Sequence, residues 1–220
     1  MKNKKNYESA SNKGLIKGAE AIEKELADGF EFIARIEKAV SIFGSGRFEP
    51  DNPHYKQAEL MAQMLAKDGF TVITGGGPGI MEAGNKGANE AGGESVGLNI
   101  LLPHEQNYNK YVTKGIEFNH FFTRKVVFAA ASSYYIYFPG GFGTLDEFFE
   151  MVNLVHNRKI HNPPLCIAIG LDYWKPLFEW LKENVYRKHR AIGHEDFELV
   201  HLVNSPGDAM EIIRKAESLK

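Results

Sequence analysis

Short apolar runs recur along the chain, separated by longer stretches in which apolar residues return at helical spacing. Ala39–Phe43 precedes a helical stretch at 54–68, Phe70–Thr74 precedes one at 79–91, and Ser95–Ile100 leads into a long loop at 101–122. The alternation resumes with Ser133–Phe138 before 145–157, Leu165–Ile169 before 173–184, and Leu199–Val203 before 207–218. Strands that are apolar on both sides, alternating with helices, call for a mostly parallel sheet covered on each face. This predicts a single α/β domain of the doubly wound kind over residues 39–220, since 220 residues suit one core. Ahead of it, polar residues 1–13 are expected to be flexible. Residues 14–38 are expected to form a leading helix, with Leu15, Ile22, Leu26, Phe30, Ile33 and Ile36 as its apolar positions and a break near Gly29.

Three of the predicted strands run directly into glycine. Phe43 leads into Gly44-Ser45-Gly46, Thr74 into Gly75-Gly76-Gly77-Pro78-Gly79, and Phe138 into Pro139-Gly140-Gly141-Phe142-Gly143. In a doubly wound sheet these are the carboxyl ends of strands, the rim where ligands bind. Glycine lets the backbone approach a ligand closely, and the N–H groups of a following helix bind anions, so a phosphate is the natural occupant. Packing alone could explain any one such turn, but three on one rim favour a ligand. The first turn lacks the third glycine of a dinucleotide fingerprint, having Glu49 there, and no acid ends the second strand, which disfavours NAD. No P-loop sequence occurs.

Composition narrows the partners. Twenty-six basic residues against 28 acidic ones leave a net charge of −2, with no broad field to attract nucleic acid or an anionic membrane. No run reaches the ~20 apolar residues of a membrane span and no signal-peptide pattern follows Met1, so a cytoplasmic location is expected. The eight histidines are scattered without a zinc spacing, and no metal site or cofactor is expected. The one cysteine, Cys166, lies in an apolar strand and reads as buried.

Two charged features remain. Arg124-Lys125 opens the predicted helix Val126–Ala131, with Thr123 as its expected N-cap; cations in a first turn oppose the helix dipole by roughly 0.3–1 kcal/mol each, which asks for a compensating anion or a salt bridge. Thr144-Leu145-Asp146-Glu147 has the spacing of a capping box, which would account for Glu147 structurally. Helix phase offers another account. Asp146, Glu150, Asn153 and Asn157 share a polar arc, whereas Glu147 falls beside Met151 and Leu154, on the flank of the apolar stripe of Leu145, Phe148, Phe149, Val152 and Val155. A carboxylate covered there, one turn past a phosphate-type loop, could engage a hydroxyl or a water.

The sequence P-G-G-F-G-T-L-D-E at 139–147, with Arg124-Lys125, the glycine stretch Gly75–Met81 and Phe43-Gly44-Ser45, resembles the "Lonely guy" (LOG) family. Its members are cytokinin riboside 5′-monophosphate phosphoribohydrolases, often labelled lysine decarboxylase-like. The resemblance runs from about Ala39 to Ala216, and Gly97–Ile100 and Leu102–Gln106 look like the longer bacterial members, some of which act on ordinary nucleotides. It implies a Rossmann-like, usually dimeric enzyme that hydrolyses the N-glycosidic bond of AMP-like or cytokinin riboside 5′-monophosphates to free base and ribose 5-phosphate. By the same resemblance Arg124 and Glu147 are the catalytic pair. Ser45, Gly140, Gly141, Gly143 and Thr144 would hold the 5′-phosphate, with charge added by Lys125, while Gly76, Gly77, Gly79, Met81 and Glu105 would shape the ribose and base pocket. Decarboxylation would need a Schiff-base lysine, and none stands out in the glycine turns. The alternative is a nucleotide-binding or sensing protein of the same fold without turnover.

Overall fold

The computed structural model describes residues 12–101, 108–160 and 163–219. Seven strands form one all-parallel sheet: β1 (Ala39–Phe43), β2 (Thr71–Thr74), β3 (Ser95–Ile100), β4 (Lys114–Phe118), β5 (Tyr134–Tyr137), β6 (Leu165–Ile169) and β7 (Val200–Val203). Their order across the sheet is β4-β3-β2-β1-β5-β6-β7, so the winding reverses between β1 and β5. A crevice opens at the carboxyl ends of the strands at such a reversal.

Helices cover both faces because the central strands bury both sets of alternating side chains. Val40, Ile42, Ile136 and Phe138 pack with Met61, Leu65, Ile80 and Ile213 under α2 (Pro53–Lys67), α3 (Ile80–Glu90) and α7 (Pro206–Glu217). Phe43, Tyr135, Tyr137 and Cys166 pack on the opposite side with Val127, Phe128, Phe148 and Trp174. That side carries α1 (Asn12–Ile33), α4 (Phe121–Ala131), α5 (Phe142–His156) and α6 (Leu171–Trp180). Cys166 is fully buried, and burial pushes its thiol up to about 12.

Several boundaries differ from expectation, each for a local reason. The loop at 101–122 contains β4, an edge strand in which only Phe118 is buried, so its sequence lacks a continuous apolar run. The leading helix ends at Ile33 and passes unbroken through Gly29. A Cβ there would stand 2.6 Å from Val127 Cγ2, so this glycine serves close packing of α1 on α4. Helix α4 begins at Phe121, three residues earlier than expected from its basic pair, and its N-cap is His120; Thr123 lies inside it and is buried. The helix predicted at 173–184 starts at Leu171 and passes at Leu181 into a π-helical segment, Leu181–Lys188. Residues 1–11 and Glu105 lie outside the described residues.

Candidate active site

The β1 and β5 turns meet at the reversal of the sheet. Ser45 ties three chain segments together: its N–H donates to Pro139 O at 3.0 Å, its carbonyl accepts from Ile80 N at 2.9 Å, and its hydroxyl oxygen accepts from Arg47 N at 3.1 Å. Above this junction lies a cavity of about 800 Å³, lined by the β1 turn, the β5 turn, Met81, Arg124, Glu147, Tyr173 and the rings of Phe48, Phe121 and Phe128.

Helix α5 starts at the cavity wall with Gly141 as its N-cap and no side chain bonded to its exposed end. The first intrahelical bond at this end runs from Leu145 N to Gly141 O, at 3.1 Å. The N–H groups of Phe142, Gly143 and Thr144 therefore have no partner in the helix and, with the dipole, suit an anion. The expected capping box does not form, because Thr144 sits at the third helical position and not at the cap. Its side chain turns inward instead, filling the space a Cβ on Gly140 would need: the Thr144 hydroxyl would be 2.1 Å away. Gly141 and Gly143 face open space, with nothing within 4 Å of an added Cβ. The Gly140 carbonyl accepts from Tyr173 Oη at 2.6 Å. In a trans peptide the next N–H points the opposite way, so Tyr173 orients the Gly141 N–H away from α6.

Glu147 lies further along α5, and its side chain is only 7% exposed. Arg124 Nη2 stands 3.6 Å from Glu147 Oε1, with the arginine side chain 15% exposed. The separation permits a Coulombic pair but not a direct hydrogen bond. The guanidinium lies over the rings of Phe121 and Phe128, at 5.4 and 5.7 Å, which fixes its direction. Its buried Nε has no hydrogen-bond partner among the described residues. Buried donors are nearly always bonded, so this N–H is suited to a ligand. Burial pushes Glu147 up to about 7 even though Arg124 pulls the other way, and burial likewise lowers Arg124 against the attraction of Glu147 and Asp146. The site thus holds a carboxylate that changes charge near neutrality beside a cation with a donor to spare.

The structure sorts the residues named from the sequence. Arg124, Glu147, Ser45, Met81, Gly140, Gly141, Gly143 and Thr144 all border the cavity. Lys125 does not: it pairs with Asp146 at 2.8 Å and Glu150 at 3.3 Å, along the outer side of α5. Gly76, Gly77 and Gly79 lie outside the lining too. Gly76, at φ +72°, packs under Tyr108, and Gly79, at φ +69°, abuts the Ser45 carbonyl. Tyr173, Phe48, Phe121 and Phe128 border the site without a sequence signal beyond their aromatic character.

Residues 81–213, more than half of the chain, match the family described as "Possible lysine decarboxylase". A cytokinin riboside 5′-monophosphate phosphoribohydrolase of Rhodococcoides fascians is 25% identical over 150 residues, covering 66% of this chain and 74% of that protein. The molybdenum cofactor binding protein of Rippkaea orientalis is similar in structure, with a TM-score of 0.56 and 25% identity over 82% of this chain and 98% of that one. The molybdenum cofactor carrier protein of Chlamydomonas reinhardtii, at 19% identity, shares the fold with a TM-score of 0.59 over 83% of this chain and 99% of that one. The matched stretch includes the arginine of α4, the β5 turn and the glutamate of α5, and the chain belongs to this family, the LOG family of α/β proteins.

Proposed function

We propose that the protein hydrolyses the N-glycosidic bond of a nucleoside 5′-monophosphate, releasing free base and ribose 5-phosphate. The observation that carries this is the buried Arg124–Glu147 pair in one cavity with the uncapped start of α5. The phosphate is held by the N–H groups of Gly141, Phe142, Gly143 and Thr144, with the Ser45 hydroxyl beside them. The sugar then extends toward Glu147. As the bond from C1′ to the base nitrogen breaks, positive charge builds on the sugar, and the Glu147 carboxylate stabilises it and orients the ribose hydroxyls or the attacking water. Water supplies the oxygen bonded to C1′, and its proton leaves for the departing base or for solvent. Arg124 fixes the substrate and assists departure of the base through its free Nε–H.

The rival reading is a binder without turnover, favoured by likeness to proteins whose names specify molybdenum cofactor binding and carriage. A phosphate binder needs the α5 start but not a buried, near-neutral carboxylate facing an arginine, which supports the hydrolase. The deciding experiment incubates purified protein with a panel of nucleoside 5′-monophosphates, AMP and an N6-substituted AMP among them, and separates the products by chromatography. Free base appearing with ribose 5-phosphate is the expected result. Tight binding with no base released would establish the rival.

A further inference from the structure

Arginine 124 occupies the first turns of α4, where a cation opposes the helix dipole and needs a nearby anion. The start of this helix is met by a carboxylate from α1, which precedes the matched stretch 81–213. The Glu25 carboxylate, only 10% exposed, gathers the residues that lead into α4. Its Oε1 accepts from Asn119 N at 2.9 Å and His120 N at 3.1 Å, and the Thr123 hydroxyl lies 2.6 Å from it. Its Oε2 lies 3.0 Å from His120 Nδ1. His120, the N-cap of α4, has no side-chain cap bond of its own, and Glu25 accepts from its backbone N–H from a distant segment, as the third helical residue of a capping box does locally. Burial pushes this carboxyl up, but the hydrogen bonds from Thr123, His120 and Asn119 outweigh it and hold Glu25 below its ordinary range. One turn further along α1, Gly29 meets Val127, three residues past Arg124. Helix α1 therefore grips α4 on both sides of the arginine.

We infer that Glu25 is a positioning residue for Arg124: by pinning the start of α4 it sets where the guanidinium stands relative to Glu147 and the cavity. The inference rests on the reading of Arg124 as a working residue of the site. A misplacement on the scale of 1 Å costs up to about a hundredfold in rate. A role confined to stability would leave the rate per folded molecule unchanged.

The test compares Glu25→Ala and Glu25→Gln with the unaltered protein in base release from AMP, alone and in the Arg124→Ala background. Expected are a fall in kcat of about tenfold to a hundredfold for Glu25→Ala at unchanged KM, and partial rescue by Glu25→Gln, which keeps one acceptor oxygen. In the Arg124→Ala background Glu25→Ala should cost nothing further, because the group it positions is gone. Equal losses in both backgrounds, or an unchanged kcat, would overturn the inference. A second readout needs no turnover: the Arg124 Nε–H proton resonance, identified by its loss in Arg124→Lys, should shift in Glu25→Ala while that of Arg47 stays. An unmoved Arg124 signal would overturn the inference even if the protein hydrolyses AMP, and a shifted signal with no hydrolysis by the unaltered protein would uphold it while removing the proposed reaction. If Glu25→Ala does not fold, Glu25→Gln carries the same readouts at smaller amplitude.

Discussion

Two glycine-rich turns, Gly75–Gly79 after β2 and Pro139–Gly143 after β5, look alike in sequence and differ in what fills them. The first borders the cavity at Gly75 and is filled by the protein from Gly76 onward. Asn109 donates its backbone N–H to Gly76 O at 2.8 Å and its side chain to Gly77 O at 3.0 Å, Tyr108 covers Gly76, and the Ser45 carbonyl closes on Gly79. The second is open on its cavity side, at Gly141 and Gly143. Glycine in the first turn answers the chain's own crowding and positive φ angles, whereas two glycines of the second answer no need of the fold. Space left by a side chain that would have fitted points to a ligand.

The sharpest test of this contrast is Gly79→Ala. Its Cβ would sit 2.3 Å from the Ser45 carbonyl at a φ of +69°, and the strain with the clash should cost at least about 3 kcal/mol in denaturant unfolding. Glu147→Gln and Arg124→Ala are expected to fold and to lose base release from AMP by about a hundredfold or more, near 2.7 kcal/mol of transition-state stabilisation. Near-normal turnover in either would remove that residue from the mechanism.

Glu147 also makes stability depend on pH. Its folded-state value of about 7 lies above the ordinary 4.5, so between those values the folded state binds more protons than the unfolded one, and stability falls as pH rises through this window. Glu147→Gln removes that penalty and should be more stable than the unaltered protein at pH 8, by on the order of 2 kcal/mol in thermal or urea unfolding. The same carboxylate should give the rate an acid limb, with kcat/KM for AMP expected to rise with pH up to about 7. A flat profile would place the working charge elsewhere.

Gly143→Ala is the counterpart of Gly79→Ala. It should fold with unchanged or slightly raised stability, since alanine favours a helix by up to about 1 kcal/mol, yet raise KM for AMP by about tenfold through its intrusion on the phosphate. Loss of fold in this variant would erase the distinction between the turns. The smallest effect is expected from Tyr173→Phe, which removes the bond to Gly140 O and should weaken AMP binding by a few-fold, about 1 kcal/mol by calorimetry.

The sequence made the central strands legible because Ile42, Ile136 and Ile167 on one face of the sheet and Phe43, Tyr135 and Cys166 on the other are all buried, which leaves nearly continuous apolar runs. Edge strand β4 was not legible, since Lys114, Gly115 and Glu117 are exposed and read as loop. Helix phase correctly set Glu147 apart from Asp146 and Asn153. The capping box misled, because a glycine took the cap position and left Thr144 to pack on Gly140. Lys125 was expected to add charge for the phosphate beside Arg124, but adjacent helical residues point about 100° apart, and of the two only Arg124 borders the cavity. Glu25 and Tyr173 carry no local signal at all, since each acts on a turn or helix far away in sequence.

The single cysteine has a practical consequence. With Cys166 sealed in the sheet and its thiol held to about 12, the native chain presents little thiolate to maleimide reagents. Phe142, 92% exposed at the mouth of the cavity, is a position where a cysteine can be introduced and tagged alone. A dye attached there would sit at the entrance of the pocket and report ligand arrival as a change in fluorescence, in a protein that needs no prior removal of native thiols.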